Sequence, residues 1–319
     1  MDRVTAGAAP RVEDVAALGA ALEANVTSAV KVPDAVVQQM LVALFADGHL
    51  LVEDYPGVGK TSLARALTLS IGAEFARIQC TSDLLPADVL GTNVFDQRLG
   101  RFEFRPGPVF ANIVLVDEIN RASPKTQSGL LECMQERRIT IDGRTHELAG
   151  PFLVIATQNP VEYQGTYPLP EAQLDRFMMR ISLGYPAPAA EAEMIAEQAE
   201  RPLVDELSPV ASVADVLAAQ AVAAQIHASQ ALRDYVVALA NATRSDPRVE
   251  LGASPRAGLM LLKAAKARAA LHERDHALPD DVQALAEPVL AHRLMLAPDA
   301  GPLDARELVR EIVERVSAL

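Results

Sequence analysis

Residues 49–62 carry the residue types needed to grip a chain of phosphates. Leu50, Leu51 and Val52 are an apolar run that reads as a buried strand. A loop with Gly57 and Gly59 follows, and a helix opens at Lys60. Glycine lacks the Cβ that would keep backbone away from an anion, so successive N–H groups can converge on it. The helix N-terminus adds partial positive charge at the same spot. Such a loop assigns nucleotide contacts to Pro56, Gly57, Val58, Gly59, Lys60, Thr61 and Ser62. Lys60 would reach the β- and γ-phosphates, and the Thr61 hydroxyl would take one position on Mg²⁺. The usual G-x-x-x-x-G-K-[ST] spacing is broken at its first position, where Asp54 stands. A carboxylate there is unhelpful unless it points away.

Three further places have matching chemistry. The apolar run Ile113, Val114, Leu115, Val116 ends in Asp117 and Glu118. In an open parallel sheet, ligands bind at the carboxyl ends of the strands. Asp117 would hold Mg²⁺ through water, and Glu118 would orient the water that attacks the γ-phosphate. Read alone, the pair is two solvated acids at a strand end; the phosphate loop upstream changes that. A second apolar run, residues 152–156, ends in Thr157, Gln158 and Asn159. The Asn159 amide can sense the γ-phosphate without adding charge, although a turn-forming Asn before Pro160 looks the same. Arg176, beside Phe177, can project toward a neighbouring subunit's nucleotide, or pair with Asp175 for little gain. Arg256 opens a later helix and could reach the γ-phosphate, coupling the angle of a lid to the nucleotide.

These residues need rigid elements. Val15, Leu18, Leu22 and Val26 predict a helix over 12–30, and Val36, Met40, Leu41 and Leu44 a second one. Short strands are expected at 75–79, 111–116, 152–156 and 178–183. Two hairpins interrupt them, at 91–105 and 137–148; the second turns on Asp142-Gly143, a strong hairpin signal. After residue 186 the sequence is Ala/Leu/Glu-rich with helical spacing and almost no strand signal. Ser254-Pro255 predicts an N-cap with proline at the first helical position. The expected class is α/β: a nucleotide-binding core over 1–186 with helices on both faces of a parallel sheet, then an all-helical lid over 187–319.

Composition narrows the rest. There are 42 acidic and 29 basic residues, net −13. That argues against a general affinity for nucleic acid or anionic membrane. Tryptophan is absent and aromatics are 4%, so base-stacking platforms are hard to build. Cys80 and Cys133 are the only cysteines and lack metal spacing; buried thiols are expected. No signal-peptide pattern or membrane-length apolar run is present, which implies a cytoplasmic protein.

Together the motifs resemble the AAA+ ATPases, and among them the MoxR family. Residues 117–122 continue through Gln127, Leu130, Leu131, Glu132 and Met134. Residues 156–160 and 165–177, then the segment from Pro279 to Arg293, read like that family's signature. The resemblance spans about residues 30–295. It implies ATP and Mg²⁺ as cofactors, Walker A at residues 57–61, Walker B at Asp117-Glu118, sensor 1 at Asn159, the arginine finger at Arg176 and sensor 2 at Arg256. It also implies a hexameric ring with both hairpins facing the pore. It further implies chaperone-like remodelling of a protein client, often a metalloenzyme, commonly with a von Willebrand factor A domain partner. One departure is at residues 30–34, where the family usually carries Val-Gly-Gln near the adenine.

Two other functions stay open at this point. A nucleic-acid translocase would share both hairpins and could line a pore with Arg137, Arg138 and Arg144. A nucleotide-gated scaffold would bind ATP and barely hydrolyse it, which a full set of Glu118, Asn159 and Arg176 argues against.

Overall fold

The computed structural model describes residues 10–55, 57–159, 165–185, 203–300 and 304–318. Two helices lead in, α1 (Val12–Ala29) and α2 (Asp34–Phe45). Then come β1 (Leu50–Glu53), α3 (Lys60–Ser70), β2 (Phe75–Gln79) and α4 (Pro86–Leu90). A hairpin of β3 (Gly91–Asp96) and β4 (Arg101–Pro106) precedes β5 (Ile113–Asp117) and α5 (Pro124–Glu136). A second hairpin, β6 (Arg138–Ile141) with β7 (Arg144–Glu147), precedes β8 (Leu153–Gln158), the one-turn α6 (Glu171–Leu174) and β9 (Met179–Ile181). The later region holds α7 (Val213–Gln225), α8 (Gln230–Ser245), β10 (Val249–Leu251), α9 (Pro255–Leu271), α10 (Pro279–Leu290), β11 (Met295–Leu296) and α11 (Ala305–Arg315).

Five strands form one parallel sheet in the order β2-β5-β8-β1-β9. Its central strands β1, β5 and β8 open as continuous apolar, buried runs because both faces are covered. Leu50, Val52, Ile113, Leu115, Leu153 and Ile155 turn to one side, against α1, α2, α3 and the later helices. Leu51, Val114, Val116, Val154 and Ala156 turn to the other, against α4 and α5. The α/β architecture with helices on both faces is thus present. The order puts β1, β5 and β8 side by side, so everything that follows their carboxyl ends converges.

His49 pins the start of β1. Its Nδ1 accepts from the Val154 amide at 3.0 Å, and Nε2 lies 3.1 Å from the Met134 carbonyl. That pairing leaves the proton on Nε2 of a neutral ring.

Both hairpins form. Asp142 and Gly143 have φ of 49° and 76°, the paired positive values that a two-residue turn of this kind needs. The hairpins touch: Asn93 Nδ2 donates to Asp142 Oδ2 at 2.7 Å, and Phe104 stacks on His146 at 4.0 Å. Ser254 caps α9 as expected, accepting from the Ala257 amide at 3.1 Å with Pro255 at the start of the helix. The later region is not purely helical. β10 and β11 pair antiparallel there. Strands of three and two residues are too short to show a period of two, and their pairing is a tertiary fact. The expected domain boundary at residue 186 lies outside the described residues.

Candidate active site

Gly57 and Gly59 have φ of +86° and +90°, and a Cβ at either would meet nothing within 4 Å. The dihedral, not crowding, demands glycine there. Gly59 is the N-cap of α3, so Lys60, Thr61 and Ser62 form its first turn. A cleft of about 230 Å³ opens over this turn. Gly57, Gly59, Lys60, Thr61, Ser62, Asp117, Glu118 and Asn159 line it. Eight of the expected residues therefore meet in one place. Val58 belongs to the loop, but its side chain is buried in the core. Pro56 lies outside the described residues.

Asp54 does point away. Its carboxylate accepts from the Ser182 hydroxyl at 3.2 Å, from the Leu183 amide, and from the Gly184 amide at 3.3 Å. The acid thus fastens the foot of the loop to the end of β9. Its carbonyl faces the other way and accepts from Lys60 Nζ at 2.9 Å. Burial pushes the Lys60 ammonium below its ordinary pKa, while Asp54, Asp117 and Glu118 pull it back up.

Thr157, at the end of β8, organises the two acids. Its Oγ1 donates to Asp117 Oδ1 at 3.3 Å and accepts from the Glu118 amide at 2.9 Å. Glu118 has φ 55°, a left-handed conformation that costs a side-chain-bearing residue about 1–3 kcal/mol. Its Oε2 accepts from Gln79 at 3.2 Å and from Arg121 at 2.9 Å. Arg77 Nε donates to Asp117 Oδ2 at 2.7 Å. Arg77, Gln79, Arg121 and Thr157 had no role in the sequence reading. Residues 77 and 79 alternate with apolar Ala76 and Ile78, which would have marked an outward face of β2. Only the register, with Gln79 opposite Asp117, brings that face to the cleft.

Two arginines lie elsewhere. β1 and β9 run parallel with Leu50 opposite Met179. The phosphate loop follows the carboxyl end of β1, whereas Arg176 precedes the amino end of β9, so they lie beyond opposite ends of these neighbouring parallel strands. Arg256 also stays out of the phosphate cleft. It lines a larger cavity of about 720 Å³ between the end of α2, α7 and α9, walled mainly by apolar residues such as Phe45, Leu217 and Met260. That cavity lacks a phosphate cradle, so its size does not make it the catalytic site.

Arg137, expected as a pore-lining cation, is committed inside the chain. It donates to the Phe152 carbonyl, and to Asp47 Oδ1 at 2.6 Å. Arg138 and Arg144 are exposed. Cys80 and Cys133 are buried free thiols, each pushed up to about 12 by burial first.

Hard oxygen donors and no soft ligand surround the cleft, which fits Mg²⁺. Among the described residues no group of three or more His, Cys, Asp and Glu could hold a metal by itself. Such a site depends on phosphate oxygens for its remaining ligands.

Known proteins agree with this geometry. The family model of the ATPase family associated with various cellular activities matches residues 49–179, and that of the AAA lid domain matches 241–315. The uncharacterized protein YeaC of Bacillus subtilis is 51% identical over 86% of this chain and 87% of its own length. Chaperone MoxR1 of Mycobacterium tuberculosis is 45% identical over 88% of this chain and 75% of its own. A crystal structure from Cytophaga hutchinsonii, an ATPase by assignment, superimposes with a TM-score of 0.88 at 37% identity, covering 96% of this chain and 97% of that one. With a nucleotide cleft of this make-up, and relatives matched along most of its length, the chain belongs to the MoxR family of AAA+ ATPases.

Proposed function

We propose that this ATPase works as a ring of identical copies, most simply a hexamer, and spends ATP on remodelling or maturing a protein assembly. The observation that carries the reading is the separation of Arg176 from the cleft of its own chain. A four-residue strand such as β1 spans about 13 Å, and the arginine and the phosphate loop lie beyond its opposite ends. An arginine that neutralises charge on a transferring phosphoryl group is worth about 10³–10⁵ in rate. Placed beyond the far end, it serves the site of a second copy. Arg256 lies on that same side, two residues from Ser254, whose hydroxyl bonds Asp175.

Within one cleft the roles divide by chemistry. Lys60 and the first turn of α3 bind the phosphates. Thr61 and Asp117 would hold Mg²⁺, which when bound supplies positive charge at the β- and γ-phosphates. Glu118 orients the attacking water, and the Asn159 amide helps hold it. The paired hairpins handle the client. Phe95 and Phe102 are 51% and 66% exposed and form an edge-to-face pair beside exposed Leu99, an apolar tip suited to protein. The client is a protein complex, such as a metalloenzyme or a von Willebrand factor A domain protein, in the cytoplasm. No described helix is long and apolar enough to cross a membrane.

Complementation tests the reading. Arg176→Ala and Glu118→Gln are each expected to lose ATP turnover while binding ATP. Mixed, they should recover activity, because a Glu118→Gln copy still offers Arg176 to a neighbour with an intact Glu118. Specific activity of the wild type should also rise with protein concentration. No recovery on mixing, under conditions where mixed rings are seen, would refute the shared site.

A further inference from the structure

Asp175 precedes Arg176 by one residue, and its carboxylate is held from the helical region. Arg293 Nε donates to Oδ1 at 2.7 Å, and the Ser254 hydroxyl lies 3.2 Å from Oδ1 and 3.0 Å from Oδ2. Arg293 is 5% exposed. Its guanidinium also donates to the Phe177 carbonyl at 2.5 Å and the Met178 carbonyl at 3.3 Å. It therefore closes on residues 175, 177 and 178, on both sides of Arg176. Ser254 meanwhile caps α9, the helix that carries Arg256. One carboxylate ties the arginine segment to two separate points of the helical region.

From the N-terminal side the segment is anchored just past Arg176, where Phe177 is buried in the core and the Met178 amide donates to the His49 carbonyl at 2.8 Å; before it the hold is weaker. α6 buries none of its four residues. Arg176 Nε is buried without a hydrogen-bond partner, so the stem of the side chain follows its backbone rather than a bond of its own. Arg293 is neutralised only by the fit of this cluster: burial pushes its pKa down and Asp175 holds it up. A buried charge with a single carboxylate partner cannot drift away cheaply. It moves with Asp175 or breaks with it.

We propose that Asp175, Arg293 and Ser254 are positioning residues that make Arg176 follow the helical region, so that a swing of that region in one copy moves the arginine offered to the next copy's γ-phosphate. The proposal rests on the reading of Arg176 as acting across a protomer boundary. It adds a route by which one cleft reports its state to its neighbour.

The test is a double-mutant cycle in the full-length chain, read as kcat and KM for ATP, nucleotide affinity and assembly size. Ser254→Ala and Asp175→Asn should each lower kcat about ten- to a hundredfold, up to the scale of a misplaced reacting group. KM, affinity and assembly should stay within about twofold, since no phosphate contact is touched. Combined with Arg176→Ala, neither should cost anything further, because residues acting through one group are non-additive. Ser254→Thr, which keeps the hydroxyl, should restore kcat. If Asp175→Asn fails to fold, Ser254→Ala carries the test, because it leaves the Asp175–Arg293 pair intact. Wild-type kcat in Ser254→Ala, or a loss that adds to that of Arg176→Ala, overturns the proposal while leaving the shared site standing. An unchanged kcat in Arg176→Ala would sink the shared site and the proposal with it.

Discussion

The Gln79 side-chain amide donates to Glu118 Oε2 at 3.2 Å, across two neighbouring strands. The carboxylate that should face the attacking water is thereby turned toward β2, with Arg121 on the same oxygen. To orient a water at the γ-phosphate, the role proposed for it above, it would have to swing back. A hydrogen bond to a charged carboxylate contributes about 1.5–3 kcal/mol, less where water competes, enough to hold most of the population turned aside. Gln79→Ala should therefore raise basal ATP turnover about two- to fivefold at unchanged nucleotide affinity. Steady-state ATPase assays with a fluorescent nucleotide titration would check it; a fall in turnover would mean that Gln79 assists the water instead.

Asp54 replaces the first glycine of the usual loop, yet it serves the fold. It is 4% exposed, and three donors at the end of β9 converge on it. Asp54→Gly restores the common motif but leaves the Leu183 and Gly184 amides without their acceptor. Each buried amide left unpaired costs about 1–3 kcal/mol. The variant should lose about 2–4 kcal/mol in urea unfolding while still binding ATP. An equally stable variant would show that solvent replaces the carboxylate without loss.

The chemistry that follows strands was legible in the sequence for a physical reason. In a sheet covered on both faces, the strand is an apolar run and the cleft-lining residues come among the first few polar ones after it. That rule finds Asp117, Glu118 and Asn159, and the loop glycines find Lys60 and Thr61. Residues whose role depends on register were harder to see. Gln79 and Arg77 lie mid-strand and matter only because β2 lies beside β5. The direction of Asp54 was set by a turn more than a hundred residues later in the chain. The side of the sheet on which Arg256 lies depends on how the helical region docks, which no local pattern encodes. β10 and β11 were too short to announce themselves.

Asp281, in the first turn of α10, is fully buried. It accepts from Arg268 at 2.5 Å, from Arg274 at 2.6 and 2.7 Å, and from the Leu278 amide at 2.9 Å. Burial pushes its carboxyl up, but the bonds from Arg274, the Leu278 amide and Arg268 outweigh it and the net pKa lies below the ordinary value. Asp281→Asn leaves two guanidiniums short of a counter-charge. Breaking a buried pair costs about 3–5 kcal/mol; both arginines keep some water contact, so the lower end applies. Urea unfolding followed by circular dichroism should show it. A loss under about 1 kcal/mol would mean that water compensates the arginines.

Acid sensitivity should come first from two buried imidazoles. Burial, then the nearby Arg137 charge, push His49 down to about 3. His292 is held well below its ordinary value by burial, then by Arg293 and Arg180. In the unfolded chain both return to about 6.5. Below that value the unfolded chain takes up protons that the folded chain refuses, so stability rises with pH across the interval. The contribution is fully present above about 6.5 and drains away as pH falls toward 3, with a slope approaching about 1.4 kcal/mol per pH unit for each ring. Carboxylates held low, such as Asp246 and Asp281, act in the same direction only below their ordinary value of about 4. The window from pH 6 to 4.5 therefore isolates the histidines. The urea midpoint should fall steeply there, and His49→Gln, which keeps a donor and an acceptor without titrating, should remove about half of that slope. A midpoint that stays level down to pH 4.5 would show that the rings reach solvent and titrate while the protein is folded.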